Sequence, residues 1–384
     1  MTASAPPTGD PPPRRTALHD VHVAAGARMV DFAGWAMPLS YGSDLAEHHA
    51  VRTAAGLFDL SHMGLITVVG PQAPEALDHA LAGRLSALEP RRSTYTMLLA
   101  PDGGVLDDLI VTRLPEDGSD AGARFAVVAN AGNRVAVAVA LRERLAGFDA
   151  LVVDTGEGTA IVAVQGPAAR AVLEALPGLE IDDGAPPVAA LRYYRTTSAR
   201  FAGAAVLLAR TGYTGEDGFE LFLDDAAAPA LWSALLDAGA PHGLVPCGLA
   251  ARDTLRLEAG MPLHGHELSP ELLPAQAGLG RVVDESKPDF VGRGAVPAPG
   301  APVLVGLASA GRRAGRAGYP VLHDGREVGV VTSGALSPTL GHPIAMALVE
   351  PALAEPGTAL EISLRGTALP ATVVPLPFLR KARR

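Results

Sequence analysis

The sequence predicts an α+β fold in which two related α+β domains are followed by a small C-terminal β domain. Two segments, residues 66–81 and 161–176, each contain an apolar strand, a Gly-Pro pair and an amphipathic helix pattern, and each is followed at a distance by a strand–turn–strand pattern. This similarity indicates a duplicated unit, although Gly-Pro after a strand is a common helix start that also recurs by chance. Beyond a Pro-rich linker at residues 297–302, short strands separated by turns are typical of a small β-barrel.

The same patterns define the domain boundaries. Residues 1–15 are rich in Pro, Ser, Thr and Ala, and this composition predicts a disordered tail. Residues 16–294 contain the paired α+β domains, of which 16–160 is the first half and 161–294 the second. The remaining residues, 295–384, form the predicted C-terminal β-barrel domain.

Within the two α+β halves, four further segments have clear patterns. Residues 124–129 predict a strand, whereas helical patterns cover residues 133–145, 227–238 and 248–259. The prolines that follow the two repeated strands, at positions 71 and 167, suit the first turn of a helix, where a missing N–H costs nothing.

Composition limits the possible partners. The chain has 384 residues, of which 48% are hydrophobic and 19% charged, as in soluble globular proteins. A net charge of −10 argues against nucleic acid and anionic membranes as partners, and no apolar run is long enough to span a bilayer. Cys247 is the only cysteine, which excludes an intrachain disulfide framework and favours a cytoplasmic location. We expect a monomer.

The histidines do not predict a metal site. His48 and His49 are adjacent, His62 is isolated, and two further histidines flank Gly265. Hydrogen-bonded surface or core histidines are the commoner explanation of such spacing, so we expect no bound metal.

Two adjacent carboxylates interrupt the apolar stretch VLDDLIV at residues 105–111, which follows the turn sequence PDGG. The stretch predicts the second strand of a hairpin, in which neighbouring side chains point to opposite faces. Asp107 then shares a face with Leu109, and Asp108 shares the other face with Ile110. Because both faces are apolar, at least one carboxylate is expected to be buried, which is costly unless it is paired, hydrogen-bonded or functional.

The second predicted hairpin carries RTGYTGEDGFE at residues 210–220, with three glycines and three acids. One interpretation is a flexible turn rich in positive-φ positions. The other is a binding loop in which Tyr213 stacks on a planar ligand and Glu220 accepts hydrogen bonds from an amino-pyrimidine or guanidinium group. Composition alone does not separate the two.

A predicted helix with the sequence GLAARDTLRLEAG follows at residues 248–260. Its Arg252 and Arg256 lie four residues apart on one face, with Glu258 nearby. An ion-pair network is the simpler interpretation, and recognition of an anion by Arg252 is the alternative. The stretches GWAMPLSYG and FDLSHMG form either core corners or the lining of a pocket.

Taken together, these stretches resemble one known family. DFAGWAMPLSY, AGLFDLSHMG, GGVLDDLIV, VVANAGN, VQGPAA, RTGYTGEDGFE, CGLAARDTLRLEAGMPLHGHEL, DFVGR and VTSGALSPTLGHPIAMALV are similar, in order, to motifs of the glycine cleavage system T-protein (aminomethyltransferase) family. The match covers residues 16–378, and RTGYTGEDGFE and GLAARDTLRLEAGMPL are its most specific parts. The resemblance implies a three-domain cloverleaf around a central channel for tetrahydrofolate. It also implies transfer of an aminomethyl group from the lipoyl arm of H protein to tetrahydrofolate, giving 5,10-methylenetetrahydrofolate and ammonia.

The resemblance also implies a set of site residues. The second aspartate of the DD pair, Asp108, corresponds to the family's catalytic residue. The positions that correspond to folate-binding residues are Glu220, Arg252, Tyr213, Tyr95, Asn130, Met63, Tyr193 and Arg380.

One departure and two alternatives accompany this hypothesis. Arg281 stands in GLGRVV where the family usually has an aromatic residue, which either alters folate contacts or is a surface change. Other folate-dependent one-carbon transferases of the same fold, such as demethylases, are the alternative enzymes. A non-enzymatic folate-binding relative in iron–sulfur assembly has a Cys-bearing motif in place of GYTGEDGFE, which this sequence lacks.

Overall fold

The computed structural model describes residues 12–115 and 121–379 of the chain. Across these two ranges, no helix is both long enough and apolar enough to cross a membrane. The described residues form two sheets covered by helices, a small N-terminal sheet and a C-terminal barrel. The predicted fold class, α+β with a C-terminal β-barrel, is confirmed.

The N-terminal segment forms a three-stranded sheet in the order β1-β3-β2. Its elements are β1 (Arg14–Arg15), α1 (His19–Ala24), β2 (Arg28–Phe32) and β3 (Trp35–Ser40). The tail predicted over 1–15 therefore ends earlier than expected, because Arg14 and Arg15 pair with β3. The guanidinium carbon of Arg14 lies 4.1 Å from the ring centroid of Trp35, a cation–π contact that helps to order this strand. The rest of the predicted tail, residues 1–11, lies outside the described residues.

The first large sheet has five strands in the order β6-β7-β8-β5-β9. The elements of this part of the chain are α2 (Asp44–Thr53), β4 (Ala55–Asp59), β5 (Gly64–Gly70), α3 (Ala73–Ala80), β6 (Arg92–Leu99), β7 (Val105–Arg113), β8 (Ala123–Ala129), α4 (Arg134–Arg144) and β9 (Leu151–Asp154). Leu77 of α3 and Leu141 of α4 pack with Ile66 and Phe125 of the sheet in one buried cluster. Helices α3 and α4 therefore cover the apolar side of this sheet.

The second large sheet has seven strands in the order β11-β12-β13-β14-β10-β4-β15. Its other elements are β10 (Thr159–Gln165), α5 (Ala169–Glu174), β11 (Leu179–Ile181), β12 (Thr196–Phe201), β13 (Ala204–Ala209), β14 (Gly218–Asp224), α6 (Ala228–Gly239), β15 (Leu244–Pro246) and α7 (Leu249–Glu258). Trp232 of α6 and Val172 of α5 pack with Phe219 in a second buried cluster. On the opposite face, α7 packs Leu255 against Ile161 and Phe58. Helices therefore cover both faces of this sheet.

The two large sheets share one topology, as the predicted duplication requires. The order β12-β13-β14-β10 repeats β6-β7-β8-β5, and α3, α5, α4 and α6 occupy matching places in the chain. The second sheet has two additional strands, β11 at the edge beside β12 and β4 between β10 and β15. Every residue of β4 is buried, so it supplies an apolar strand that the second sheet would otherwise lack. This corrects the boundary predicted at residue 160, since residues 55–59 belong to the second sheet.

The two Gly-Pro turns differ from the prediction in one respect. Helices α3 and α5 begin two residues after Pro71 and Pro167, so neither proline lies in a first helical turn. The preceding glycines explain this, because Gly70 and Gly166 have φ of +156° and +133°. A Cβ on Gly70 would lie 2.3 Å from the carbonyl oxygen of Asp149, so both the conformation and the space require glycine there. The chain turns at these glycines before each helix begins.

The two predicted hairpins are also not equivalent. The hairpin that carries the two aspartates is β6–β7, whose counterpart in the second sheet is β12–β13, whereas RTGYTGEDGFE connects β13 to β14. The acidic loop of the second half is therefore the counterpart of the β7–β8 connection.

The C-terminal domain is a closed six-stranded barrel in the order β16-β19-β18-β17-β20-β21. Its strands are β16 (Val303–Ser309), β17 (Pro320–His323), β18 (Arg326–Leu336), β19 (Pro343–Val349), β20 (Ala359–Leu364) and β21 (Thr367–Val374). Val305, Val331 and Val373 lie in its buried interior. Closure leaves no unpaired strand edge, as predicted for a barrel.

Candidate active site

The aspartate pair lies in the middle of β7, the strand predicted from VLDDLIV. Odd-numbered residues 105–111 are fully buried, whereas Leu106, Asp108 and Ile110 are half-buried. Asp107 and Asp108 therefore point to opposite faces of the sheet, as the alternation predicts. In the preceding turn, Gly104 packs directly against the carbonyl of Pro270. A Cβ on residue 104 would lie 1.8 Å from that carbonyl oxygen, so the space requires glycine. This contact brings the segment after α7 against the start of β7.

Asp107 is fully buried and is held by neutral amides instead of a cation. Its Oδ2 accepts from the backbone N–H of Asn130 at 3.1 Å, and its Oδ1 accepts from the Nδ2 atoms of Asn130 and Asn133 at 2.8 and 2.7 Å. Burial raises the pKa of Asp107, although these hydrogen bonds oppose the shift. Asp107 is therefore held by one backbone N–H and two side-chain amides.

Asp108 is held by one phenol and one amide. Tyr95 Oη donates to Oδ2 at 3.0 Å, and Asn130 Nδ2 donates to Oδ1 at 2.8 Å. Burial raises the pKa of Asp108, against the opposing effect of these two hydrogen bonds and of nearby His264. The side chain thus combines a fixed orientation with a carboxylate that water stabilises only in part, which is the environment of many functional acids.

A second group of predicted residues lies on the seven-stranded sheet. Glu220 of β14 accepts a hydrogen bond from Thr211 Oγ1 at 2.5 Å through its Oε2 atom. Burial raises the pKa of Glu220, and the nearby positive charge of Arg252 opposes the shift. The guanidinium carbon of Arg252 lies 4.8 Å from the ring centroid of Tyr213, and it has no hydrogen bond or ion pair with any other described side chain. A half-buried guanidinium and a half-buried carboxylate with spare hydrogen-bonding capacity thus face one site.

The ring of Tyr213 is held by a hydrogen bond from its Oη to the carbonyl of Pro262. Burial raises its pKa, and the Asp108 carboxylate adds to the effect, so the two groups of residues lie within electrostatic range of each other. Burial also raises the pKa of Tyr95, and the nearby Asp108 and Tyr213 side chains add to this effect. The backbone also joins the groups, since Ser93 N–H donates to the carbonyl of Tyr194 at 3.0 Å. The two sheets therefore meet at this site.

The remaining predicted residues lie at the edges of the site or outside the described residues. Met63 is half-buried and packs on the cluster beneath α7. Tyr193 is 52% exposed, and its ring lies edge-on to Tyr194 with centroids 4.7 Å apart. Arg380 lies outside the described residues. Arg281 is exposed, which agrees with a surface change at this position.

Two residues beside the aspartate pair, one in contact with it and one in contact with the first, were not among the predicted site residues. Asn133 follows Asn130 in VVANAGN, and its side chain reaches Asp107. The Nδ1 atom of His264 lies 3.1 Å from Asn133 Nδ2. The spacing of the two asparagines at a helix start was the available signal for Asn133. The contacts of His264 join positions 131 residues apart, which no local pattern predicts.

Two surface cavities lie beside these residues instead of between them. One, of about 260 Å³, is lined by Arg91, Arg192 and Arg195 next to Tyr193. The other, of about 460 Å³, lies between His266 and the barrel. Within the described ranges, no group of three or more His, Cys, Asp or Glu side chains is arranged to hold a metal ion.

A further buried carboxylate, Glu258 at the end of α7, lies in an ion-pair network that connects three parts of the molecule. Arg52 donates from Nε and Nη2 at 3.0 and 2.9 Å, and Thr339 donates from its backbone N and Oγ1 at 2.9 and 2.8 Å. His48 Nε2 lies 3.2 Å away, and Ser337 Oγ also donates. These donors hold the pKa of Glu258 at about 2 despite its burial. The ion-pair interpretation therefore applies to Glu258, whereas Arg252 is outside this network.

Known proteins resemble this chain over almost its whole length. The family model described as the GCVT N-terminal domain matches residues 18–287, and the glycine cleavage T-protein C-terminal barrel domain matches residues 303–379. An aminomethyltransferase of Saccharopolyspora erythraea is 56% identical, covering 96% of this chain and 99% of the relative. One from Streptomyces avermitilis is 54% identical over 97% and 99% of the two chains.

A solved structure extends the comparison to the fold. The glycine cleavage system aminomethyltransferase T of Bartonella henselae superposes with a TM-score of 0.86 at 38% identity, covering 95% of this chain and 98% of that one. The α+β part and the C-terminal barrel, and the way in which they are arranged, are thus shared with glycine cleavage T-proteins. The chain belongs to the glycine cleavage T-protein family.

Proposed function

We propose that this protein is the aminomethyltransferase of a glycine cleavage system. In this function it transfers the aminomethyl carbon from the lipoyl arm of H protein to tetrahydrofolate. The observation that carries the proposal is Asp108, a carboxylate in an apolar strand that is oriented by Tyr95 and Asn130 and has no cationic partner among the described residues. Family membership makes the protein a transferase, and relatives at 54–56% identity carry the name aminomethyltransferase.

The residues opposite Asp108 fit the pterin of a reduced folate. An amino-pyrimidine edge offers N–H donors beside nitrogen and oxygen acceptors. Glu220 supplies an acceptor and Arg252 supplies donors, and neither group has its full set of partners among the described residues. Tyr213 and Tyr193 supply aromatic surface next to them. We propose that these residues and Met63 bind the folate, and that Arg380 assists from the C-terminal end.

The folate supplies two nitrogen nucleophiles, and the donor supplies a methylene carbon bonded to sulfur and to an amino nitrogen. As the carbon–sulfur bond breaks, the methylene carbon becomes cationic, and the fixed Asp108 carboxylate stabilises that charge better than water does. Asp108 also accepts a proton from the attacking nitrogen. One folate proton ends on the lipoyl sulfur and the other on the amino group, which leaves as ammonia. The methylene then bridges both folate nitrogens.

Burial of Asp108 therefore serves the reaction. Tyr95 and Asn130 keep the carboxylate in one orientation, so little reorganisation is needed when charge develops. Because Cys247 is the only cysteine and is buried, we expect the reducing environment of the cytoplasm to suit the protein, and we expect it to act as a monomer.

The donor is tested directly by offering the purified protein tetrahydrofolate with either aminomethylated H protein or small methylated compounds. We expect ammonia and 5,10-methylenetetrahydrofolate with the first donor and no product with the second. Transfer only from a methylated small molecule would instead identify a demethylase of the same fold.

A further inference from the structure

A chain of hydrogen bonds leads from the segment after α7 to the aspartate pair. His264 Nε2 lies 3.3 Å from the carbonyl oxygen of Val105, and its Nδ1 lies 3.1 Å from Asn133 Nδ2. Asn133 Nδ2 in turn donates to Asp107 at 2.7 Å, and Asn130 Nδ2 donates to both Asp107 and Asp108. Three side chains, those of Asn133, Asp107 and Asn130, thus connect His264 to the carboxylate that we place in the reaction.

These contacts determine which atoms of Asn133 and His264 donate a hydrogen and which accept one. Asn133 must turn its NH₂ toward Asp107, because its carbonyl oxygen would repel the carboxylate. The same NH₂ faces Nδ1 of His264, so Nδ1 accepts and Nε2 carries the proton that is donated to the Val105 carbonyl. This arrangement of hydrogens fixes the orientation of Asn133, and Asn133 in turn fixes the orientation of Asp107.

We propose that Asn133 and His264 are positioning residues that orient the aspartate pair for transfer. The inference rests on the proposed role of Asp108 and adds two residues that act on it through Asp107 and Asn130. Asn133 is the N-cap residue of α4, yet its side chain caps no helical N–H. Its amide is instead directed at the carboxylate and the imidazole, which indicates a role in the site and not in the start of the helix.

Asn133 acts on Asp108 indirectly, by controlling the direction in which the Asn130 amide points. Asp107 Oδ1 receives two amide donors, from Asn130 and Asn133, and loses one of them when Asn133 is shortened. Asp107 can then draw the Asn130 amide toward itself and away from Asp108. The titratable groups around His264 are Asp108 on β7 and the exposed Glu271 on its own segment. Neither forms a direct hydrogen bond with the imidazole among the described contacts.

The test compares kcat, KM for tetrahydrofolate and the pH dependence of kcat in a panel of variants. We expect Asn133→Ala to lower kcat about tenfold with little change in KM, since misplacement without loss of a folate contact affects the reacting step. The fall of kcat at low pH should begin at a higher pH in this variant, because the carboxylates lose a hydrogen-bond donor that favours their charged form. His264→Phe should show the same pattern to a smaller extent, and His264→Gln should restore much of the loss, because an amide offers both an acceptor and a donor.

His266→Gln is the matched control, since His266 is an exposed histidine two residues away whose one side-chain hydrogen bond among the described residues is with the Thr332 carbonyl. We expect it to behave like the parent protein. If Asn133→Ala and His264→Phe change only thermal stability and leave kcat and the pH profile unmoved, the positioning role is wrong. Asp108→Asn in the same panel separates the two proposals, because normal turnover in that variant would overturn the proposed function itself.

Discussion

Two buried carboxylate sites in this protein are built in opposite ways. Glu258 is fully buried, and its contacts with His48, Ser337 and Thr339 hold its pKa at about 2, while Arg52 donates to the same carboxylate. Asp107 and Asp108 are surrounded by neutral amides and one phenol, and burial raises the pKa of both. A carboxylate removed from water is thus stabilised by positive charge at the first site. At the second site it is stabilised only in part, by neutral hydrogen-bond donors.

The difference agrees with the two roles that we propose, a structural one for Glu258 and a functional one for Asp108. The Glu258 network joins α2, α7 and the loop between β18 and β19, so its full set of partners attaches the barrel to the seven-stranded sheet. An equally well paired Asp108 would gain little from approaching a developing cation. Its incomplete pairing leaves it able to stabilise positive charge on a substrate, at a cost in stability of the folded state.

The largest stability effect is expected at Glu258. Glu258→Gln removes the negative charge from buried Arg52 and from the Thr339 and Ser337 donors, which should lower the free energy of unfolding by about 3–5 kcal/mol. Chemical denaturation measures this directly. Glu174→Gln, on an exposed position at the end of α5, is the control and should change stability by less than about 0.5 kcal/mol. Equal stability of the two variants would contradict the structural role of the network.

A smaller effect, on binding, is expected at Glu220. Glu220→Gln keeps the shape and the Thr211 contact of the side chain but replaces a charged acceptor with a neutral amide. We expect KM for tetrahydrofolate to rise about tenfold with a smaller change in kcat, because a hydrogen bond to a charged group contributes about 1.5–3 kcal/mol. Steady-state kinetics with varied folate tests this. An unchanged KM would remove Glu220 from the proposed folate site.

The pH dependence of turnover is expected to follow the aspartate pair. Burial raises the pKa of Asp108, and transfer requires the ionised form, so kcat should fall as the pH is lowered, with a midpoint above the usual carboxyl pKa of about 4. The pKa of Glu258 is shifted in the opposite direction from that of Asp108, but its contribution to stability is also lost at low pH. Its folded pKa of about 2 lies below the unfolded value, so this contribution is present above pH of about 4 and is lost as the pH falls toward 2. A kcat profile with no acid limb above pH 4 would contradict this assignment.

Local patterns in the sequence predicted the elements and part of the site. Alternation in VLDDLIV placed Asp107 and Asp108 on opposite faces, and the Gly-Pro segments indicated the repeated unit, because strand period and turn chemistry are local properties. The insertion of β4 beside β10 was not predicted, since a buried strand gives no sign of which sheet it joins. The two predicted strand–turn–strand patterns correspond to different strand pairs of the repeat, β6–β7 and β13–β14.

Partners that are distant in the chain account for the rest. Glu258 meets Arg52 across 206 residues, and His264 meets Asn133 across 131, so neither contact follows from spacing. The resemblance to a family supplied Asp108, Glu220 and Arg252 as a set, and the structure shows which groups surround each of them. The resemblance did not predict that neutral groups surround the aspartates, because the amides that do so come from the end of another strand and the start of a helix.

The most direct measurement of the central claim is made on Asp108→Asn, with transfer rate and the free energy of unfolding determined on the same preparation at pH 7. We expect transfer to fall by about 10²-fold or more, because a fixed charge that faces the developing cation is removed. We expect the variant to be at least as stable as the parent, with a gain on the order of 1 kcal/mol, since a buried charge without a cationic partner is also removed. Near-normal transfer, or a marked loss of stability like that expected for Glu258→Gln, would show that Asp108 is a structural carboxylate after all.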